Sequence, residues 1–292
     1  MSTVEEVTAL SPTARRRRRI GRRLARRPLA IAGAVVVVLF VAAAILAPVV
    51  APSAPADTNF DIVLQSPSWS HPLGTDELGR DVLSRVIWGA RASLEAGVLA
   101  TLLAMVVAVP LGLLAGYYRS WWDPVISRFT DVLLAFPFLV LAVGLAAILG
   151  PSLLNATLAL GIAAIPGLIR VTRAETLSLR EQEFVKAAVA NGAGNGVILR
   201  RHLLPNMAST LLVQATITIP TAIIGESLLS FLGLGVQPPT PSWGVMLSSA
   251  QPFITLAPWL AIFPGIAVVM ATLAFNLFGD GLRDALDPRS DR

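Results

Sequence analysis

At 292 residues the chain is 54% hydrophobic and only 14% charged, where soluble domains average about 25% charged. A mean hydropathy of +0.70 leaves no room for a large soluble domain, and the net charge of +5 comes mainly from arginine. The absence of cysteine excludes disulfides and thiolate metal sites; the two histidines, His71 and His202, stand too far apart in sequence to form a cluster.

Residues 15–27, RRRRRIGRRLARR, carry nine arginines directly before the first apolar run. A basic run beside a membrane span anchors to anionic lipid on the cytoplasmic side rather than binding nucleic acid. Residues 1–27 are therefore read as a basic cytoplasmic tail, and 28–51 as the first transmembrane helix. Ala54-Pro55-Ala56 has some look of a signal cleavage site, but the uncharged core exceeds 20 residues, longer than the ~7–15 of a signal sequence.

Residues 52–92 make an outer segment. Its first part is rich in Pro and Ser, which suits extended surface chain. From Thr75 the pattern changes: Asp76 as cap and the stripe Leu78, Val82, Leu83 and Val86 predict a short amphipathic helix lying on the membrane.

Residues 93–292 hold five further spans. They are placed at about 93–118, with a kink expected at Pro110, then 125–149, 156–171, 207–232 and 257–278. Asp131, beside Arg128, is expected at the cytoplasmic boundary. Glu226 falls late in the fifth span, where a carboxylate needs a partner or water. Its two readings are a structural pair with Arg80, Arg85 or Arg91, and a group lining the pathway; the pair is favoured.

Between the fourth and fifth spans lies the polar stretch 181–206, EQEFVKAAVANGAGNGVILRRHLLPN. It separates 38 uncharged residues, Val132 to Ile169, from 23 more, Leu203 to Gly225. Phe184, Ala187, Ala188 and Asn191 recur at helical spacing. Gly192, Gly194 and Gly196 then break the helix, and a second helical segment follows from Val197 to Leu204. The paired alanines offer a smooth face for another protein. Six spans put both termini on one side, and 20 of the 23 basic residues fall on the side of this loop, which makes that side cytoplasmic.

The chain holds no nucleotide site of the Walker type, whose lysine grips phosphates. Its one lysine, Lys186, is followed by alanine. No Ser/His/Asp or paired-carboxylate constellation emerges either, which argues against an intramembrane hydrolase.

The 181–206 loop resembles the coupling loop of permease subunits in ATP-binding-cassette importers. That motif reads Glu-Ala-Ala, three residues, Gly, nine residues, an aliphatic residue, one more, and Leu-Pro. Ala187, Ala188, Gly192, Leu204 and Pro205 match it, while Lys186 replaces the Glu and His202 the aliphatic residue. HPLGTDELGRDVLSRVIWGARASL and GESLLSFLGLGVQPPTPSWGVML, with the closing AFNLFGDGLRDALDPR, are similar to segments of the second permease subunit of dipeptide, oligopeptide and nickel importers. The resemblance covers the chain from about His71 onward.

It implies an all-α polytopic membrane protein: six transmembrane helices in the type I importer permease fold, both termini cytoplasmic, in the inner membrane of a prokaryote. Residues 93–292 would be the permease core. Glu183, Phe184, Lys186, Ala187, Ala188, Gly192, Leu204 and Pro205 would form the ATPase-coupling loop. Partners would be a homologous second permease, two ATPase subunits that bind the ATP and Mg, an extracytoplasmic substrate-binding protein and the lipid bilayer. Neither nucleic acid nor a cofactor of its own is expected. The cargo would be di- or oligopeptides, with nickel, haem or another small solute as alternatives, and a self-contained secondary transporter as the reading from a different class.

Overall fold

Helix boundaries follow the caps and prolines of the sequence. The computed structural model describes residues 27–286, so the expected basic tail lies outside the described residues except for Arg27. Helix α1, Pro28–Val50, starts on a proline whose missing N–H costs nothing in a first turn. Its 23 residues reach about 34 Å, enough to cross a bilayer core of ~30 Å. Only Ala30, Gly33, Ala44 and Ala47 are buried, a small-residue stripe that lets neighbouring helices approach.

The expected surface helix at 75–86 does not form. Asp76 instead closes a turn, its Oδ1 accepting from the N–H groups of Leu78 and Arg80 at 2.9 Å each. Gly79 adopts φ +69°, and a Cβ there would stand 1.8 Å from the Asn59 carbonyl oxygen. That close approach bars a helix from passing through. Asp81 is the actual cap, accepting from Ser84 N–H at 2.8 Å. Helix α2, Val82–Tyr118, then runs 37 residues, so the predicted surface helix and second span share one element that continues through Pro110.

The predicted third span is two helices, α3 (Trp122–Leu134) and α4 (Phe138–Leu149), bent by 88°. Pro137 supplies no N–H and disfavours helix in the residue before it, which accounts for the break. Asp123 and Asp131, eight positions apart on α3, pair with Arg173 at 2.6 Å and Arg170 at 2.9 Å, only three apart on α5, Leu153–Arg180. Helix α3 therefore crosses α5 rather than running beside it, and Asp131 pairs with Arg170 rather than its neighbour Arg128. Helix α4, with 12 residues, covers about 18 Å.

Ser152 caps α5 (Leu153–Arg180), which passes without interruption through Pro166-Gly167, and the short α6 (Glu183–Ala190) follows. Helix α7 (Asn195–Phe231) carries a π-helical turn at Ile198–Leu203 before its long α-helical part. Ser242 caps α8 (Trp243–Ala250), and α9 (Trp259–Leu286) closes the described chain. Among the described residues five helices are long and apolar enough to cross a membrane, six spans if the bent pair counts as one.

Close contacts set the directions. Gly112 meets Thr172 and Gly116 meets Thr176, so α2 and α5 run parallel. Gly33 touches Ala274 and Phe278, while Ala44 clusters with Ala267 and Ala271, so α1 and α9 run opposite. The described ends of the chain meet at the same end of the bundle, where Arg27 pairs with Asp284 at 3.0 Å.

The α2–α5 contact yields a direct test. A Cβ on Gly116 would stand 2.6 Å from Thr176 Cβ and 2.9 Å from the Arg173 carbonyl oxygen, which is backbone and cannot move aside. Gly116→Leu is expected to destabilise the detergent-purified protein by about 1–3 kcal/mol, read as a lowered unfolding midpoint; Ser at this position should cost less.

Candidate functional site

At the end of the bundle where α2 and α5 finish, the chain turns out into the 181–206 loop. Val185 and Ala188 lie three apart on α6 and are both buried, with Ile198, Leu203 and Met207 of α7 and Leu113 of α2. On the same helix Phe184 and Ala187 are exposed, beside rather than opposite the buried pair. Glu183 and Lys186 are exposed as well and sit 3.5 Å apart in a pair of little energetic weight.

The structure thus separates the two alanines. Ala188 packs into its own bundle, so of the two alanines only Ala187 stays on the outer surface, with Phe184 and Val189 exposed beside it. Of the other expected loop residues, Gly192, Leu204 and Pro205 are exposed.

The hinge is local. Gly192 has φ +76°, a region that other residues enter only at a cost, and nothing lies within 4 Å of where its Cβ would be. Ala193 N–H reaches back to Ala188 O at 3.0 Å and ends α6. At the far side of the loop Pro205 has no N–H for the carbonyl four residues back. The turn before it widens to the π form, and Leu204 N–H bonds to Leu199 O.

Side chains that sequence patterns left unassigned lock the loop in place. Tyr117 Oη and Asn195 Oδ1 are 2.9 Å apart, and Arg180 Nη1 donates to the Tyr117 carbonyl at 2.8 Å. The Arg180 guanidinium also lies 5.9 Å from the Tyr117 ring centre. No sequence spacing joins residues 117, 180 and 195; the parallel packing of α2 and α5 joins the first two, and the packing of α7 on α2 brings in the third.

Glu226 is fully buried between α2 and α7 and meets serines instead of the expected arginine. Ser93 Oγ donates to one carboxyl oxygen and Ser230 Oγ to the other, each at 2.7 Å. Ser230 Oγ in turn accepts from Val236 N–H at 3.0 Å, tying the carboxyl to the loop before α8. The arginines proposed as partners are occupied or distant: Arg80 pairs with Asp76 at 2.6 Å and Glu77 at 2.7 Å, while Arg85 bonds the Pro55 carbonyl at 3.0 Å. Arg91 points outward from α2. Ser230 one turn beyond Glu226 is a signal that sequence carries; Ser93 is supplied by tertiary packing alone.

A hollow of about 240 Å³ opens among α2, α4, α5 and α7. Its wall is mostly apolar, with Phe138, Leu160 and Ile217, and carries a polar strip of Gln214, Thr218 and Thr221 on α7. Both threonine hydroxyls donate to carbonyls of their own helix, at 2.8 and 3.0 Å.

The helical membrane bundle thus presents a braced knob at one end and an open hollow along its side. The chain belongs to the family described as binding-protein-dependent transport system inner membrane component, whose signature matches residues 108–292. Residues 16–67 match a second signature, the N-terminal transmembrane domain of oligopeptide transport permease C, so the family likeness extends to the N-terminal part as well. The dipeptide transport system permease protein DppC of Alkalihalophilus pseudofirmus is 46% identical over 98% of this chain and 92% of its own length. The glutathione transport system permease protein GsiD of Escherichia coli is 46% identical over 92% of this chain and 89% of its own. Among solved structures, a chain of the MetNI methionine ABC transporter in inward-facing conformations shares the fold, with a TM-score of 0.57 at 20% identity, over 70% of this chain and 97% of that one.

Two substitutions separate the roles of glycine and carboxyl. Gly192→Val meets no neighbour, so its cost is backbone strain of about 1–3 kcal/mol confined to the loop; limited proteolysis should cut 189–196 faster while the bundle's unfolding midpoint changes little. Glu226→Ala strands two buried hydroxyls and should lower the midpoint by the equivalent of about 1–3 kcal/mol, with Glu226→Gln milder.

Proposed function

We propose that the chain is the transmembrane permease subunit of an ATP-driven importer of dipeptides or short oligopeptides, coupled to ATPase subunits through the 181–206 loop. The observation that carries this reading is the two-faced helix α6. Its buried face, Val185 and Ala188, is fastened to α2 and α7, so a push on the exposed Phe184 and Ala187 passes into both long helices. A loop free of such anchors would absorb the push.

The loop end is the cytoplasmic end in this reading. Arg119, Arg128, Arg170, Arg173, Arg180, Lys186, Arg200, Arg201 and Arg283 gather there, with Arg27 at the start of α1, while Arg80, Arg85 and Arg91 lie toward the other end; this imbalance supports the assignment. Both termini then face the cytoplasm of a prokaryote and the bundle sits in its inner membrane. ATP and Mg are bound by two partner ATPases, and the permease itself needs no cofactor. A homologous second permease completes the pathway, to which the hollow between α4, α5 and α7 contributes one wall. An extracytoplasmic binding protein delivers cargo to residues 52–81 and 233–256, an outer layer braced by the bond from Trp259 Nε1 to the Thr75 carbonyl at 3.2 Å.

Relatives named for dipeptide and glutathione transport favour a short-peptide cargo over nickel. Membership of a binding-protein-dependent family supports work through partners rather than a self-contained secondary transporter.

The test is on α6. In the reconstituted assembly, Phe184→Ala combined with Ala187→Asp removes an aromatic anchor and places a charge on the proposed contact. Cargo-stimulated ATP hydrolysis and peptide uptake should both drop at least about tenfold, the effect of losing ~1.4 kcal/mol of contact energy. Unchanged stimulation at normal assembly would overturn the coupling role.

A further inference from the structure

Arg91 and Glu95 stand one turn apart on α2, both exposed, and neither pairs with any group among the described residues. They head a groove of about 380 Å³ between α1 and α2 whose walls are otherwise apolar, with Val41, Ile45, Val98 and Leu99. The exposed strip continues along α2 through Leu102 and Val106. No residue of this groove lines the hollow among α2, α4, α5 and α7; the two share helix α2 but no lining residue.

Depth makes the charges informative. Ala44 of α1 packs with Ala90 and Leu94, which brackets the level of Arg91. Helix α1 stays apolar to its end at Val50, so Arg91 lies about 9 Å inside that end and Glu95 about 6 Å deeper, at ~1.5 Å per residue. An arginine can extend its stem to the membrane surface. A glutamate at the lower level cannot, and lipid tails offer it no counter-charge.

We propose that the α1–α2 groove is a seat for a transmembrane helix of the second permease subunit, which presents a basic or hydrogen-bond-donating group to Glu95 and an acceptor to Arg91. A helix supplies what an acyl chain lacks: fixed polar groups at two successive levels, followed by apolar side chains against Val98, Leu102 and Val106. This rests on the reading of the chain as one permease of a pair, and the test keeps the two apart.

In the assembled transporter, a photo-crosslinking residue replaces Val98 in one variant and Phe184 in another. The Val98 adduct should contain the second permease, and the Phe184 adduct an ATPase subunit. A Phe184 adduct with the ATPase beside a Val98 adduct holding only lipid, or no adduct, overturns the groove assignment and leaves the coupling reading intact. Failure of both overturns both. Recovery of the second permease with the tagged chain gives an independent readout: Glu95→Lys, beside Arg91, should lower it several-fold, and Glu95→Asp should preserve it. Equal recovery with Glu95→Lys would also sink the proposal.

Discussion

The architecture depends on the close approach of α2 and α5. Gly112 and Gly116 set Thr172 and Thr176 at distances where a side chain of any size would collide. In a membrane, water does not drive helices together, so contact of this kind carries much of the association between spans. Because the two helices run parallel, their ends finish together, and Tyr117 and Arg180 become neighbours. The 181–206 loop is braced on that pair. A slip of one turn between α2 and α5 would separate the Tyr117 carbonyl from Arg180 and leave the loop unsupported.

From this follows a division between stiff and yielding parts. The knob of α6 is fastened by Val185, Ala188, Ile198 and Leu203, while Gly192 and the π turn are the places where the backbone departs from regular helix. At the opposite end, the Asp76, Arg80 and Arg85 cluster and the serine-held Glu226 join the outer segment, α2, α7 and the loop before α8. The long helices are thus tied to neighbouring segments at both of their ends.

Buried carboxyls illustrate how the same problem is solved in two ways. Asp76 meets arginines within a few residues, a solution available to a polar outer segment. Glu226, inside the bundle, meets neutral hydroxyls from two helices. Serines satisfy the oxygens without burying a second long charged side chain, whose desolvation would have to be offset in turn.

The sequence by itself determined the membrane class, a set of five to six spans and the glycine-bearing polar loop with its break at Gly192. These are properties of composition, of uncharged run lengths and of the φ preference of glycine, all local to the chain. Matters that depend on two distant segments meeting were decided by the tertiary structure. Asp81 rather than Asp76 starts α2, because Asn59 crowds Gly79. Ala188 turns inward while Ala187 faces out, because α6 must seat Val185 against α2 and α7. Glu226 finds Ser93 rather than an arginine, because helix packing brings position 93 to its level and the arginines are held by partners of their own. Spacing along a chain states which residues share a face; only packing states what that face meets.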